Sequence, residues 1–203
     1  MALAETQPQG RSGGRPGPAS PGVGGGGQAG VASPGGGGGP AGVASPGWAE
    51  HRRRVSELRA AYAALPPDRP VRLSKKTSNL FRPRAAARGG LDVSGFDGVL
   101  DVDTAARTAD VSGMTTYEHL VDALLPYGLM PLVVPELKTI TLGGAITGLG
   151  IESTSFRSGM PHESVLEMDI LTGAGEVVTA RREGEHRDLF YGFPNSYGTL
   201  GYL

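Results

Sequence analysis

Four glycines fall within eight residues between Gly143 and Gly150, and this run is the clearest preparation for chemistry in the sequence. The segment reads Thr141, Leu142, Gly143, Gly144, Ala145, Ile146, Thr147, Gly148, Leu149, Gly150, Ile151, Glu152, Ser153. Glycine admits left-handed backbone and lets a ligand come up against the main chain. Backbone N–H groups exposed at such a turn, or at a helix start that follows it, can hold a pyrophosphate. A tight packing turn uses the same residues, so glycine content alone leaves both readings open. The run is not a dinucleotide fingerprint, because no long strand precedes it and no acid about twenty residues on completes a βαβ unit. Nor is it a P-loop, since no Gly-Lys-Ser/Thr follows.

Other chemistries find little support. The chain has no cysteine, which removes disulfides, thiolate metal sites and cysteine nucleophiles. His51, His119, His162 and His186 do not stand at helical metal-ligand spacing, and strand alternation accounts for Asp101 and Asp103, so no metal is expected. A Gly-x-Ser-x-Gly elbow is missing. The formal net charge of −1 conceals an asymmetry: residues 48–90 sum to +8 and residues 91–203 to −10. The basic block calls for an anionic partner, either a phosphorylated cofactor or an anionic membrane surface, unless it is a solvated helix face. Nucleic acid is not expected, because no recognised module is present and few aromatics interleave with the basic residues. No run of about 18 apolar residues and no signal-type start occurs, so the expected location is cytoplasmic, at most peripheral to a membrane.

The elements that must position the glycine run begin late. Residues 1–47 hold 17 of the 34 glycines and 7 of the 16 prolines, with a repeat of Ala29–Gly35 at Ala41–Gly47, and read as a disordered tail. Residues 48–203 form the folded domain. A helix is expected over 48–64, with Val55, Leu58, Tyr62 and Leu65 as its apolar stripe. Val71–Leu73 reads as a short strand, followed by the polar, basic loop Ser74–Asn79. Residues 98–112 alternate as a hairpin turning near Thr104–Arg107. Thr115 or Thr116 caps a helix over 117–126. Leu132–Val134 is a brief strand, 165–171 and 176–180 form a second hairpin of open register, 188–191 is a helical turn, and 198–203 starts another strand. Strands and short helices without a βαβ period give an α+β class.

Gly143-Gly144, Gly148-x-Gly150, Ser158-Gly159, the second hairpin, Asp188-Leu189-Phe190 and Gly198-Thr199-Leu200-Gly201 fall in an order that resembles the FAD-binding domain of the vanillyl-alcohol oxidase / p-cresol methylhydroxylase (PCMH-type) superfamily. Val134-Pro135-Glu136-Leu137, Gly150-Ile151-Glu152-Ser153 and Asp188-Leu189-Phe190-Tyr191 look most like its Δ24-sterol reductase branch and bacterial relatives. The resemblance covers about residues 70–203. It implies two α+β subdomains with FAD between them, and contacts to the cofactor from Thr141 through Ser153 and from Gly198 and Thr199. The loop Lys75, Lys76, Thr77, Ser78, Asn79 takes the place of the superfamily's other pyrophosphate loop, keeping its Ser/Thr-Asn ending but carrying lysines where glycines are usual. That loop has no histidine, so noncovalent FAD is implied, and His162 is the histidine nearest the expected flavin region. The implied activity is an FAD-dependent oxidoreductase that saturates an isolated C=C bond in a lipid, a Δ24-sterol or an unsaturated or methylene-bearing fatty acyl chain, with NADPH as electron source. An FAD-linked oxidase of alcohols or sugars, or an inactive truncated product, are the alternatives. No catalytic residue is assigned. The resemblance also implies further strands and a substrate cap beyond Leu203, so the expectation is a C-terminally incomplete domain that is inactive on lipid by itself.

Overall fold

The computed structural model describes residue 1, residues 3–5, residues 46–75 and residues 90–203. Most of the expected tail, and Lys76, Thr77, Ser78 and Asn79 of the basic loop, lie outside the described residues. The chain starts with a strand, β1 (Leu3–Glu5), which pairs antiparallel with a later strand, so the expectation of a tail without structure does not extend to these residues. Leu3 is 6% exposed and belongs to the main core.

Helix α1 (Pro46–Ala63) buries Leu58 and half-buries Val55 and Tyr62, as the stripe requires. Its outward face is laced by ion pairs: Glu50 accepts from Arg53 Nε at 2.9 Å and from Arg54 Nε at 2.7 Å, and Glu57 pairs with Arg53. Strands β2 (Leu73–Ser74) and β3 (Leu91–Asp92) pair parallel. Strands β4 (Val99–Asp103) and β5 (Thr108–Val111) form the expected hairpin, turning at Thr104–Arg107. Thr116 caps α2 (Tyr117–Leu124), its hydroxyl accepting the His119 N–H at 3.2 Å, and Tyr117, Leu120 and Leu124 are buried beneath it. Leu120 and Leu124 are wholly enclosed, which fixes α2 on the core more firmly than helix propensity can.

The strand expected at Leu132–Val134 lies three residues earlier, as β6 (Leu129–Pro131), the partner of β1. Pro131 has no N–H to continue a ladder, which ends the pairing there. Val133 is nevertheless buried, as a loop residue. The glycine run is not a turn: Leu142–Gly148 forms helix α3, because Leu142, Ala145 and Ile146 place their side chains on one buried face. A short helix α4 (Ser155–Ser158) and a 3-10 turn (Pro161–Ser164) lead to β7 (Glu167–Leu171) and β8 (Val177–Arg181). Their register pairs Met168 with Ala180 and Ile170 with Val178, so Met168 and Ile170 face the core while Glu167 and Asp169 face outward. Helix α5 (Arg187–Gly192) follows. The strand expected over 198–203 reduces to one bridge, Leu171 to Tyr202, because Gly198 and Gly201 sit at φ +82° and +141°, outside extended geometry.

The class is α+β, built from helices and two-stranded sheets. Leu3→Ala tests whether β1 belongs to the fold: a loss of about 2–5 kcal/mol lowers Tm by at least about 4 °C in a thermal melt followed by circular dichroism, whereas an unstructured tail gives no shift.

Candidate functional site

Helix α3 is held by the loop that precedes α2. Leu142 N–H donates to Thr115 O at 2.8 Å and Gly143 N–H to Gly113 O at 2.8 Å, while Tyr117 N–H reaches back to Ile140 O at 3.0 Å. Thr115 is fully buried and locks this loop to the first hairpin, its hydroxyl accepting the Gly98 N–H at 2.8 Å. Thr141 caps α3, accepting the Gly144 N–H at 3.1 Å. The N–H groups of the first turn of α3 are therefore satisfied within the protein. The sequence reading had offered such groups as anion donors, and at Leu142, Gly143 and Gly144 the fold uses them itself.

The glycines contribute space rather than donors. A Cβ on Gly143 would stand 2.8 Å from Gly113 O, so only glycine lets the two backbones meet there. Gly144 is exposed, and a Cβ there would meet only Thr141 Oγ1 among non-neighbouring atoms. Beside it opens a cavity of about 130 Å³ lined by Leu73, Lys75, Gly113, Met114, Thr141, Gly143, Gly144, Thr147, Tyr197, Gly198, Gly201, Tyr202 and Leu203. Six residues of the expected cofactor set converge here: Lys75, Thr141, Gly143, Gly144, Thr147 and Gly198. Thr147 turns its hydroxyl to Gly143 O at 2.7 Å.

Among the described residues, the rest of the set does not line this cavity. Leu142, Ala145 and Ile146 are core residues. Gly148 and Leu149 end α3, Leu149 as a left-handed cap at φ 56°. Gly150, Ile151, Glu152 and Ser153 do not line the cavity; Ile151 is 77% exposed and Glu152 accepts the Glu136 N–H at 3.2 Å. Thr199 donates to Ser196 O at 2.7 Å and does not line the cavity. His162 lines neither of the two cavities, and its Nδ1 is buried without a hydrogen-bond partner.

Sequence reasoning missed Gly113, Tyr197, Gly201 and Tyr202. Gly113 carried a signal as a lone glycine at an element end and Gly201 as the last residue of the Gly198-Thr199-Leu200-Gly201 motif; Tyr197 carried none. Its φ of +50°, with Asn195 at +63°, is a strained conformation for a non-glycine residue, and such strain collects at ligand sites. The Tyr202 hydroxyl is buried without a partner, and burial raises its pKa.

A second cavity, of about 140 Å³, lies under α1 and shares Gly113, Tyr202 and Leu203 with the first. His51 lines it, edge-on to Trp48 at 5.6 Å and to Phe96 at 5.7 Å between ring centroids. Burial holds the His51 imidazole below its usual range. The unfolded chain then binds a proton that the folded chain resists, so stability falls as pH drops below about 6.5. Urea melts between pH 5 and 7 should show that slope, and His51→Gln should flatten it; an identical slope in the variant would place the titration on another group.

Comparison with known proteins follows the same segments. A family model described as an FAD binding domain matches residues 40–181. The Delta(24)-sterol reductase of Pisum sativum is 36% identical over 113 residues, which is 56% of this chain and 20% of that protein. Cytokinin dehydrogenase 6 of Oryza sativa subsp. japonica is 35% identical over 124 residues, 61% of this chain and 22% of that protein. The matches thus span about a fifth of the length of these relatives. The fold is similar to that of 6-hydroxy-D-nicotine oxidase from Arthrobacter nicotinovorans, with a TM-score of 0.57 at 21% identity over 73% of this chain and 32% of that structure.

Proposed function

This chain belongs to the FAD binding domain family, and on that premise we propose that it is the flavin-holding part of an FAD-dependent oxidoreductase that reduces an isolated C=C bond in a lipid, drawing electrons from NADPH. The observation that carries the reading is the convergence of Lys75, Thr141, Gly143, Gly144, Thr147 and Gly198 on one glycine-walled cavity. Residues around the cavity fit such a cofactor. Gly144 leaves the backbone open to a flat group, and Lys75 supplies a cation for phosphate. The volume holds part of a dinucleotide, since sites for whole drug-sized ligands run to roughly 300–1,000 Å³. Bound noncovalently there, FAD supplies hydride chemistry. The chain's own part is to hold it: the clasp between Gly113 and Gly143 fixes the wall, Lys75 and its sequence neighbour Lys76 offset phosphate charge, and Thr77, Ser78 and Asn79 offer neutral hydrogen-bond donors to it. The lipid substrate, a sterol side chain or an unsaturated fatty acyl chain, is supported by the similarity to proteins named Delta(24)-sterol reductase. The exposed arginines Arg52, Arg53 and Arg59 on α1 suit a peripheral approach to an anionic membrane, although Arg53 is already paired. Among the described residues no helix is long and apolar enough to cross one.

The similarity to cytokinin dehydrogenase 6, over a slightly longer stretch, favours a second reading in which the flavin accepts electrons from an organic donor.

Two measurements follow. The purified chain mixed with FAD and desalted should retain visible flavin absorbance. Gly144→Val should lose it, by filling the approach to the backbone, and Lys75→Ala should weaken retention less at high salt than at low. Normal retention in Gly144→Val would remove the cofactor from this cavity. Anaerobic NADPH should then bleach the bound flavin; bleaching by an alcohol or amine donor but not by NADPH would favour the second reading.

A further inference from the structure

Left-handed backbone recurs in the loop after α5: Asn195 lies at φ +63°, Tyr197 at +50° and Gly198 at +82°. Bonds to the elements on either side fix this shape. Asn195 N–H reaches Ile146 O at 3.4 Å and Tyr197 N–H donates to Thr147 O at 3.0 Å, which satisfies carbonyls in the last turn of α3 that the helix itself leaves open. Ser196 N–H donates to Phe193 O at 3.1 Å and Thr199 N–H to Ser196 O at 3.0 Å. Every one of these donors is a main-chain N–H. Any residue but proline could supply it, and glycine would supply it without strain. Asparagine visits left-handed backbone readily, and Gly198 has no Cβ to clash. Tyrosine has neither property, so its conformation carries a free-energy cost that the capping of α3 does not require.

What the strain retains is the side chain. Tyr197 is 74% exposed and lines the glycine-walled cavity. Among the described residues no hydrogen bond or ring contact engages that side chain. Thr147, which holds the Tyr197 backbone, stands three residues after Gly144, so the two share a helix face and lie about 4.5 Å apart along the axis. Gly144 leaves that face bare, and Lys75 lines the same cavity with a cation for phosphate. A planar group over Gly144, joined to a phosphate at Lys75, therefore meets Tyr197 at the end of the face. Tyr202 lines the cavity too, but its ring is already set edge-on to Phe96 at 6.2 Å between centroids.

We propose that Tyr197 is the stacking residue of this cavity, held in left-handed backbone so that its ring lies against a planar ring of FAD. The inference rests on the cofactor reading above and adds the group that grips the cofactor by its flat face. Offset stacking uses the apolar body of the tyrosine and leaves its hydroxyl in water. The stored strain is then the cost of presenting a ring where the capping bonds alone would accept glycine.

The test is calorimetric titration of FAD into the full chain and three variants, with a thermal melt of each without FAD. Tyr197→Leu should weaken FAD binding about two- to tenfold, while Tyr197→Phe, which keeps the ring, should stay within about twofold of the unsubstituted chain. Tyr197→Gly should lose affinity as the Leu variant does, yet raise Tm by about 2 °C as the strain is released. Titration with FMN and with ADP assigns the ring: a loss in the Leu variant that appears with FMN places the isoalloxazine on Tyr197, and one that appears with ADP places the adenine there. Unchanged FAD affinity in Tyr197→Leu, equal losses in the Phe and Leu variants, or a Gly variant that melts lower would overturn this inference and leave the cofactor reading standing. An unsubstituted chain that binds no FAD would overturn both.

Discussion

The contact between the backbones of Gly113 and Gly143 is the constraint on which the rest depends. The Gly143 N–H lies 2.8 Å from Gly113 O, and a Cβ on Gly143 would stand no farther from that same oxygen. No side chain fits between, so α3 comes directly against the loop leading into α2. That approach brings Leu142 N–H to Thr115 O and Tyr117 N–H to Ile140 O, which buries Tyr117, Leu142 and Ile146 together. With α3 so fixed, its exposed Gly144 faces open space beside Lys75 and Gly198, and a cavity exists at all.

Satisfying the first turn of α3 internally changes what the cavity offers. A helix start normally attracts anions through unpaired N–H groups. Here those groups hold the wall in place, so the cavity offers the side chain of Lys75, glycine-walled space and the strained loop at Tyr197 to the proposed cofactor. Tyr202 and Leu203 serve two cavities at once, since they line both the glycine-walled one and the one under α1.

Much of this was legible in the sequence where the signal is local. Alternation in Val99–Asp103 and Thr108–Val111 marks the first hairpin, and Thr115 or Thr116 with Glu118 marks the start of α2, the fold taking Thr116 as the cap. The 3.6-residue spacing of Leu142, Ala145 and Ile146 was equally visible but was outweighed by the glycines between them, which favour a turn by propensity; burial of that apolar face decided for helix. What the sequence could not carry was long-range. Nothing local announces that Leu3 pairs with Pro131, that Pro131 rather than Val134 ends the strand, or that Gly113 forms the second wall of a site whose first wall is thirty residues on. Of the expected cofactor set, Lys75, Thr141, Gly143, Gly144, Thr147 and Gly198 line one cavity and Gly150 to Ser153 do not, because a contiguous motif does not reveal where the chain turns.

Hydrogen-exchange mass spectrometry of the chain with and without FAD tests the central claim most directly, because it reads the wall of the cavity rather than the loss of binding in a variant. The account predicts slowed exchange across residues 113–115, 141–148 and 197–201, with residues 48–62 of α1 unchanged. Protection confined to α1 and the cavity beneath it, with 141–148 exchanging as before, would contradict it.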